Sequence, residues 1–89
     1  FKVSRGQEKT LIEVKLSSNS QYLHGYEVQV EEYGKAENTD KLVYVLVDVG
    51  NPLKVKRLKE LHKENIGQGK KVPELIIIDS MPKVSASRT

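Results

Sequence analysis

The chain has 89 residues, 37% hydrophobic and 30% charged, the size and composition of one small globular domain. It contains no cysteine, which excludes a disulfide framework and a thiolate metal centre, and its longest apolar run, LVYVLV at 42–47, is too short to cross a membrane. A net charge of +3 leans towards a polyanionic partner, and with nothing at the start resembling a signal peptide the expected compartment is the cytoplasm.

FKVS (1–4) reads as a short strand, RGQEK (5–9) as a turn, and TLIEVKL (10–16) as a strand rich in β-branched residues, so a hairpin is expected over 1–16. SSNS (17–20) offers N-caps for a helix over 21–37, where Tyr22, Tyr26, Val30, Tyr33 and Ala36 recur every three or four residues. Gly25 and Gly34 weaken that helix by about 1 kcal/mol each unless close packing needs them. ENTD (37–40) breaks the pattern. KLVYVLVDV (41–49) is almost continuously apolar, the signature of a strand covered on both faces, as is VPELIIID (72–79). Between them Asn51 is an N-cap candidate and Pro52 a first helical residue. Val55, Leu58 and Leu61 form the apolar stripe of this second helix, which Gly67 and Gly69 stop. The order β-β-α-β-α-β predicts an α/β fold, a small mixed sheet flanked by helices. Residues 1–80 are assigned to one domain and 81–89 to a polar flexible tail.

Glu13 and Lys15 stand two apart in the second strand. Such residues share a face, so carboxylate and ammonium emerge together while Val14 points the other way, into the core. A carboxylate can hold Mg²⁺, a hard cation that prefers oxygen ligands. An ammonium beside it can hold a water or neutralise charge growing on a phosphate. In the following helix Gln29 and Tyr33, at i and i+4, share a face that could overlook the strand. Taken singly, each feature has a plainer reading: an acid–lysine pair on a strand edge is usually solvated, and a tyrosine in an apolar stripe is usually core. His24 reads as solvated, Asp48 and Asp79 as strand ends, and Tyr44 as core.

Together, LIEVKLSS and HGYEVQVEEY resemble the second half of a PD-(D/E)XK, or restriction-endonuclease-like, nuclease core, in the RecB-type branch with its Q-x-x-x-Y motif. The resemblance covers roughly residues 10–50. It implies a metal-dependent nuclease that hydrolyses phosphodiester bonds, with DNA the expected substrate. Glu13 and the backbone carbonyl of Val14 would hold Mg²⁺ or Mn²⁺, Lys15 would be the catalytic lysine that aligns the attacking water, and Gln29 and Tyr33 would be supporting active-site residues. The family pattern also has an acid on an upstream strand. Only Glu8 lies upstream here, in the expected turn. The resemblance therefore implies a core lacking its N-terminal portion, with the remainder of a longer chain, or a second copy, as a partner.

Lys54, Lys56, Arg57, Lys59 and Lys63 concentrate positive charge on the second helix. They are candidate phosphate contacts that give affinity without sequence choice. Two other readings stand beside the nuclease: a catalytically inactive nuclease-like module that binds nucleic acid or a protein, and a structural α/β domain with no site.

Overall fold

A computed structural model describes residues 2–5, 8–35 and 40–80. The chain forms β1 (Lys2–Arg5), β2 (Glu8–Leu16), α1 (Tyr22–Tyr33), β3 (Lys41–Asp48), α2 (Pro52–Gly67) and β4 (Glu74–Asp79). The four strands lie in one sheet in the order β1-β2-β3-β4. β1 pairs antiparallel with β2, Lys2 facing Leu11 and Arg5 facing Glu8, while β2, β3 and β4 are parallel. The expected hairpin and α/β order are therefore present. The tail assigned to 81–89 lies outside the described residues.

Strand alternation divides the sheet into two unlike faces. Glu13 is level with Tyr44, Lys15 with Leu46, and Leu46 with Ile77. Tyr44 and Leu46 are fully buried and form the core with Tyr22 and Tyr26 of α1 and Val55 and Leu58 of α2. Leu75 and Ile77 of β4 pack against this cluster. Both helices thus cover the same face. Each buried aliphatic side chain removes enough apolar surface from water to contribute about 2 kcal/mol.

The opposite face carries Val14, Leu16, Val43, Val45, Val47, Ile76 and Ile78. Here the sequence expectations need correction. Val14, expected to point into the core, is 54% exposed. The continuous apolar runs are covered by helices on one side only among the described residues, because strands added in the sequential order β2-β3-β4 place successive crossovers on one side. Val43 and Val45 remain buried because β2 and β4 flank them, but Leu16 and Ile78 on those neighbours are about half exposed. β4 is an edge strand rather than a fully buried one.

The helix boundaries follow local chemistry. α1 starts at Tyr22, with Gln21 as its cap residue, and no SSNS side chain caps it directly. Asn19 Oδ1 instead accepts the Gln21 N–H at 2.8 Å, an Asx turn leading into the helix. Its end at Tyr33, with Gly34 following in a right-handed conformation, falls short of the expected 37. α2 has Asn51 at its cap position and Pro52 at its start, as expected, and Gly69 takes up a φ of 77° just beyond its end. That left-handed turn lets the N–H groups of Gly69 and Lys70 return to the carbonyls of Ile66 and Asn65.

Candidate functional site

The central pair is built by β2. Glu13 and Lys15 project onto the helix-covered face, and Lys15 Nζ lies 3.4 Å from Glu13 Oε1. Their side chains are 43% and 26% exposed, so both reach solvent, and the Lys15 stem lies against Gly25 of α1. A pair this wet contributes at most about 1 kcal/mol to stability. Beside it, burial foremost pushes the Tyr44 phenol up to about 12, and the Glu13 carboxylate adds to the shift. The Tyr44 hydroxyl therefore stays protonated and donates to the Tyr22 backbone carbonyl. This bond ties β3 to the first turn of α1.

α1 leads from the end of β2 to the start of the parallel strand β3, so it runs antiparallel to both. A Cβ built on Gly25 would meet Lys15 Cε at 3.2 Å, which fixes where the helix crosses the strand. Four helical residues rise about 6 Å and two strand residues about 6.6 Å, so the two elements keep step. Gln29 then comes at the level of Glu13, and Tyr33 at the level of Leu11. The Gln29 side-chain carbonyl oxygen is buried and accepts no hydrogen bond among the described residues. A buried acceptor without a donor costs about 1–3 kcal/mol, and a donor brought by a ligand would recover it. Tyr33 sits about 12 Å of helix axis beyond Gly25. Its ring is engaged by Lys71, whose Nζ lies 4.3 Å from the centroid. The structure thus brings Glu13 and Lys15 together, sets Gln29 one helical turn past Gly25, and turns Tyr33 to a different cation.

The peptide groups of β2 add a further feature. Ser17 N–H donates to Val47 O at 2.8 Å, so alternation directs the peptide groups of residues 13 and 15 towards β3 as well. The Val14 carbonyl points to the opposite edge. The β1 ladder ends at the Lys2–Leu11 pair, short of Val14. The oxygen donors suited to a hard cation, the Glu13 carboxylate and the Val14 carbonyl, thus belong to one stretch of strand. Among the described residues no group of three His, Cys, Asp or Glu side chains gathers as a ready metal cluster.

A model for a domain of unknown function, DUF8371, matches residues 1–51, which takes in β1, β2, α1 and β3 and so Glu13, Lys15, Gly25, Gln29 and Tyr33. The chain belongs to the DUF8371 family. No curated protein and no solved structure matches it. The family match ends at Asn51, before α2. On that helix Lys56, Arg57, Lys59 and Lys63 are exposed, and Lys56, Lys59 and Lys63 share a flank by their i, i+3, i+7 spacing. Lys54 is drawn in instead, its Nζ 5.5 Å from the Tyr22 ring centroid.

Two clusters were not legible in the sequence. At the carboxyl ends of β2 and β3, fully buried Ser17 donates to Asn51 Oδ1 at 2.8 Å and accepts the Val49 N–H at 2.9 Å. Asp48 Oδ1 accepts the N–H groups of Gly50 and Asn51, which hold its carboxyl below the usual range. Asp48 therefore shapes a turn through Gly50, whose φ is 108°, rather than merely ending a strand. Between the helices, buried Tyr26 meets His62 Nδ1 at 2.5 Å. Burial pushes the Tyr26 phenol up, with a bond to Asn65 opposing it, and pushes His62 down. Ser17 and its partners, and Tyr26 and His62, are more than 30 residues apart, and no local spacing rule connects them.

Proposed function

We propose that the chain carries the Glu13–Lys15 half of a metal-dependent nuclease site acting on phosphodiester bonds, with DNA as substrate. The observation that carries this reading is the pairing of carboxylate and ammonium on a helix-covered strand face, below a helix whose Gln29 leaves a buried acceptor unmet. Apolar residues normally fill such a face, so two ionic groups there call for a chemical reason. Glu13 and the Val14 carbonyl are of the right chemical kind for Mg²⁺ or Mn²⁺. The cation, when bound, would supply Lewis-acid stabilisation of the phosphoryl oxygens and a more acidic water.

The chain's own residues have distinct tasks. Lys15 neutralises charge growing on the phosphate and orients the incoming water by donating a hydrogen bond. Gln29 accepts a bond from a donor on the substrate or from a bound water. The exposed row Lys56, Lys59 and Lys63 and nearby Arg57 contact the phosphate backbone without reading bases. Tyr33, held by Lys71, acts as a stacking surface or a support. A second carboxylate would enter from the open edge of β2.

The test is cleavage of supercoiled plasmid with Mn²⁺, comparing the wild-type chain with Lys15→Met, alongside DNA binding with and without metal. The reading expects Mn²⁺ binding that is lost in Glu13→Ala and, where a second carboxylate completes the site, nicking that falls by at least about 100-fold in Lys15→Met. DNA binding that ignores metal and Glu13, with no nicking in either protein, would replace it with the inactive nucleic-acid-binding module.

A further inference from the structure

The nuclease reading uses Lys15 but leaves unexplained what holds its amine in place. α1 carries a glycine at position 25, inside a helix where glycine is disfavoured by its backbone entropy. Gly25 has no need of glycine's conformational range, since Gly50 and Gly69 are the glycines with positive φ among the described residues. Its N–H makes an ordinary helical bond to the Gln21 carbonyl at 2.8 Å. The reason for glycine is therefore space. A Cβ there would lie 3.2 Å from Lys15 Cε and 3.4 Å from the Tyr44 hydroxyl oxygen.

Those two neighbours differ in what they can yield. The Tyr44 hydroxyl is pinned by its bond to the Tyr22 carbonyl, and its ring is wholly buried. Lys15 Cε belongs to a flexible side chain with an exit to solvent. Added bulk at position 25 would therefore be relieved by moving the lysine. From these contacts we propose that Gly25 is a positioning residue: its missing side chain lets α1 settle onto the Lys15 stem, so that helix and Tyr44 hydroxyl together hold the ammonium beside Glu13. The catalytic consequence rests on the nuclease reading, whereas the positional claim does not. Displacements of about 1 Å in a catalytic group can cost about 100-fold in rate.

The experiment compares wild type, Gly25→Ala and Gly34→Ala. Gly34 is a control in the same helix region, because a Cβ there would meet only carbonyl oxygens of its own last turn, at 3.4 and 3.5 Å. Three readouts are taken: melting temperature, the Lys15 ε-methylene resonance in ¹³C-lysine-labelled protein, and Mn²⁺-dependent nicking of plasmid DNA. The expected result is that Gly25→Ala melts no lower than wild type, because alanine favours helix, while its Lys15 resonance moves and nicking falls about 10- to 100-fold. Gly34→Ala leaves the resonance and the nicking unchanged. An unmoved Lys15 resonance in Gly25→Ala overturns the proposal, as does a loss of nicking that tracks a fall in melting temperature. If the wild type neither binds Mn²⁺ nor nicks DNA, the nuclease reading fails, and the resonance alone decides the positional claim.

Discussion

The two faces of the sheet are made by alternate residues of the same strands, yet they differ in cover and in chemistry. The face buried by both helices holds an ionic pair, Glu13 and Lys15, next to Tyr44 and Leu46. The face left open by the helices is aliphatic throughout its centre, with Val14, Leu16, Ile76 and Ile78 from 38% to 54% exposed. Hydrophobic burial accounts for the covered face through Tyr44 and Leu46, while the pair lies where the side chains still reach solvent. The proposed chemistry thus sits at the solvent-reaching margin of the covered face, and the open face carries valine and isoleucine.

The largest expected effect tests whether the two faces really differ in burial. Leu46→Ala removes a fully buried side chain from the shared core and should cost about 2–5 kcal/mol in urea unfolding. Val14→Ala, one residue from Lys15 but on the open face, should cost less than about 1 kcal/mol because its side chain is already half in water. Equal costs would mean that the second face is covered in solution and would erase the contrast.

A smaller effect concerns how the helices close over the covered face. Burial holds His62 below its ordinary value, so the folded state favours the neutral ring, which is hydrogen-bonded to Tyr26. Unfolded chains protonate histidine near pH 6.5, so the stabilisation is complete above about that pH. It is lost as pH falls towards the depressed folded value. Urea midpoints measured from pH 7.5 down to 5 should decline on the acid side, and His62→Gln should flatten that decline.

The smallest effect on stability is expected from the pair itself. A double-mutant cycle of Glu13→Gln and Lys15→Met should give a coupling of less than about 1 kcal/mol, since both groups reach solvent. A coupling several times larger would make the pair a structural bridge and weaken the case that it serves chemistry.

Much of the fold was legible because it follows local rules. The Val55–Leu58–Leu61 spacing and Pro52 marked α2, and the apolar run at 41–48 marked β3. What those runs could not reveal is which side the helices take, since β-branched residues on both faces look the same whether one layer or two covers them. Val14 is expected in the core because charged neighbours at 13 and 15 normally take the solvent side, whereas here the helices lie on their side. The E-x-K spacing did report a shared face, because strand alternation is a local property. The third dimension of the site was not legible: Gly25 above Lys15, the unmet Gln29 acceptor and the diversion of Tyr33 to Lys71 depend on how α1 is docked. The Ser17–Asn51 contact was not legible because it depends on β2 pairing in parallel with β3, which brings the two carboxyl ends together.

The central claim is that a divalent cation belongs beside Glu13, at the level of Gln29. Paramagnetic broadening of ¹⁵N–¹H spectra by substoichiometric Mn²⁺ tests it directly. The account predicts that the backbone amides of Glu13, Val14 and Lys15 and the side-chain amide of Gln29 fade first, and that Glu13→Gln abolishes this pattern. Broadening centred instead on Asp48 and Asp79, at the far end of β3 and β4, or unchanged in Glu13→Gln, would contradict it.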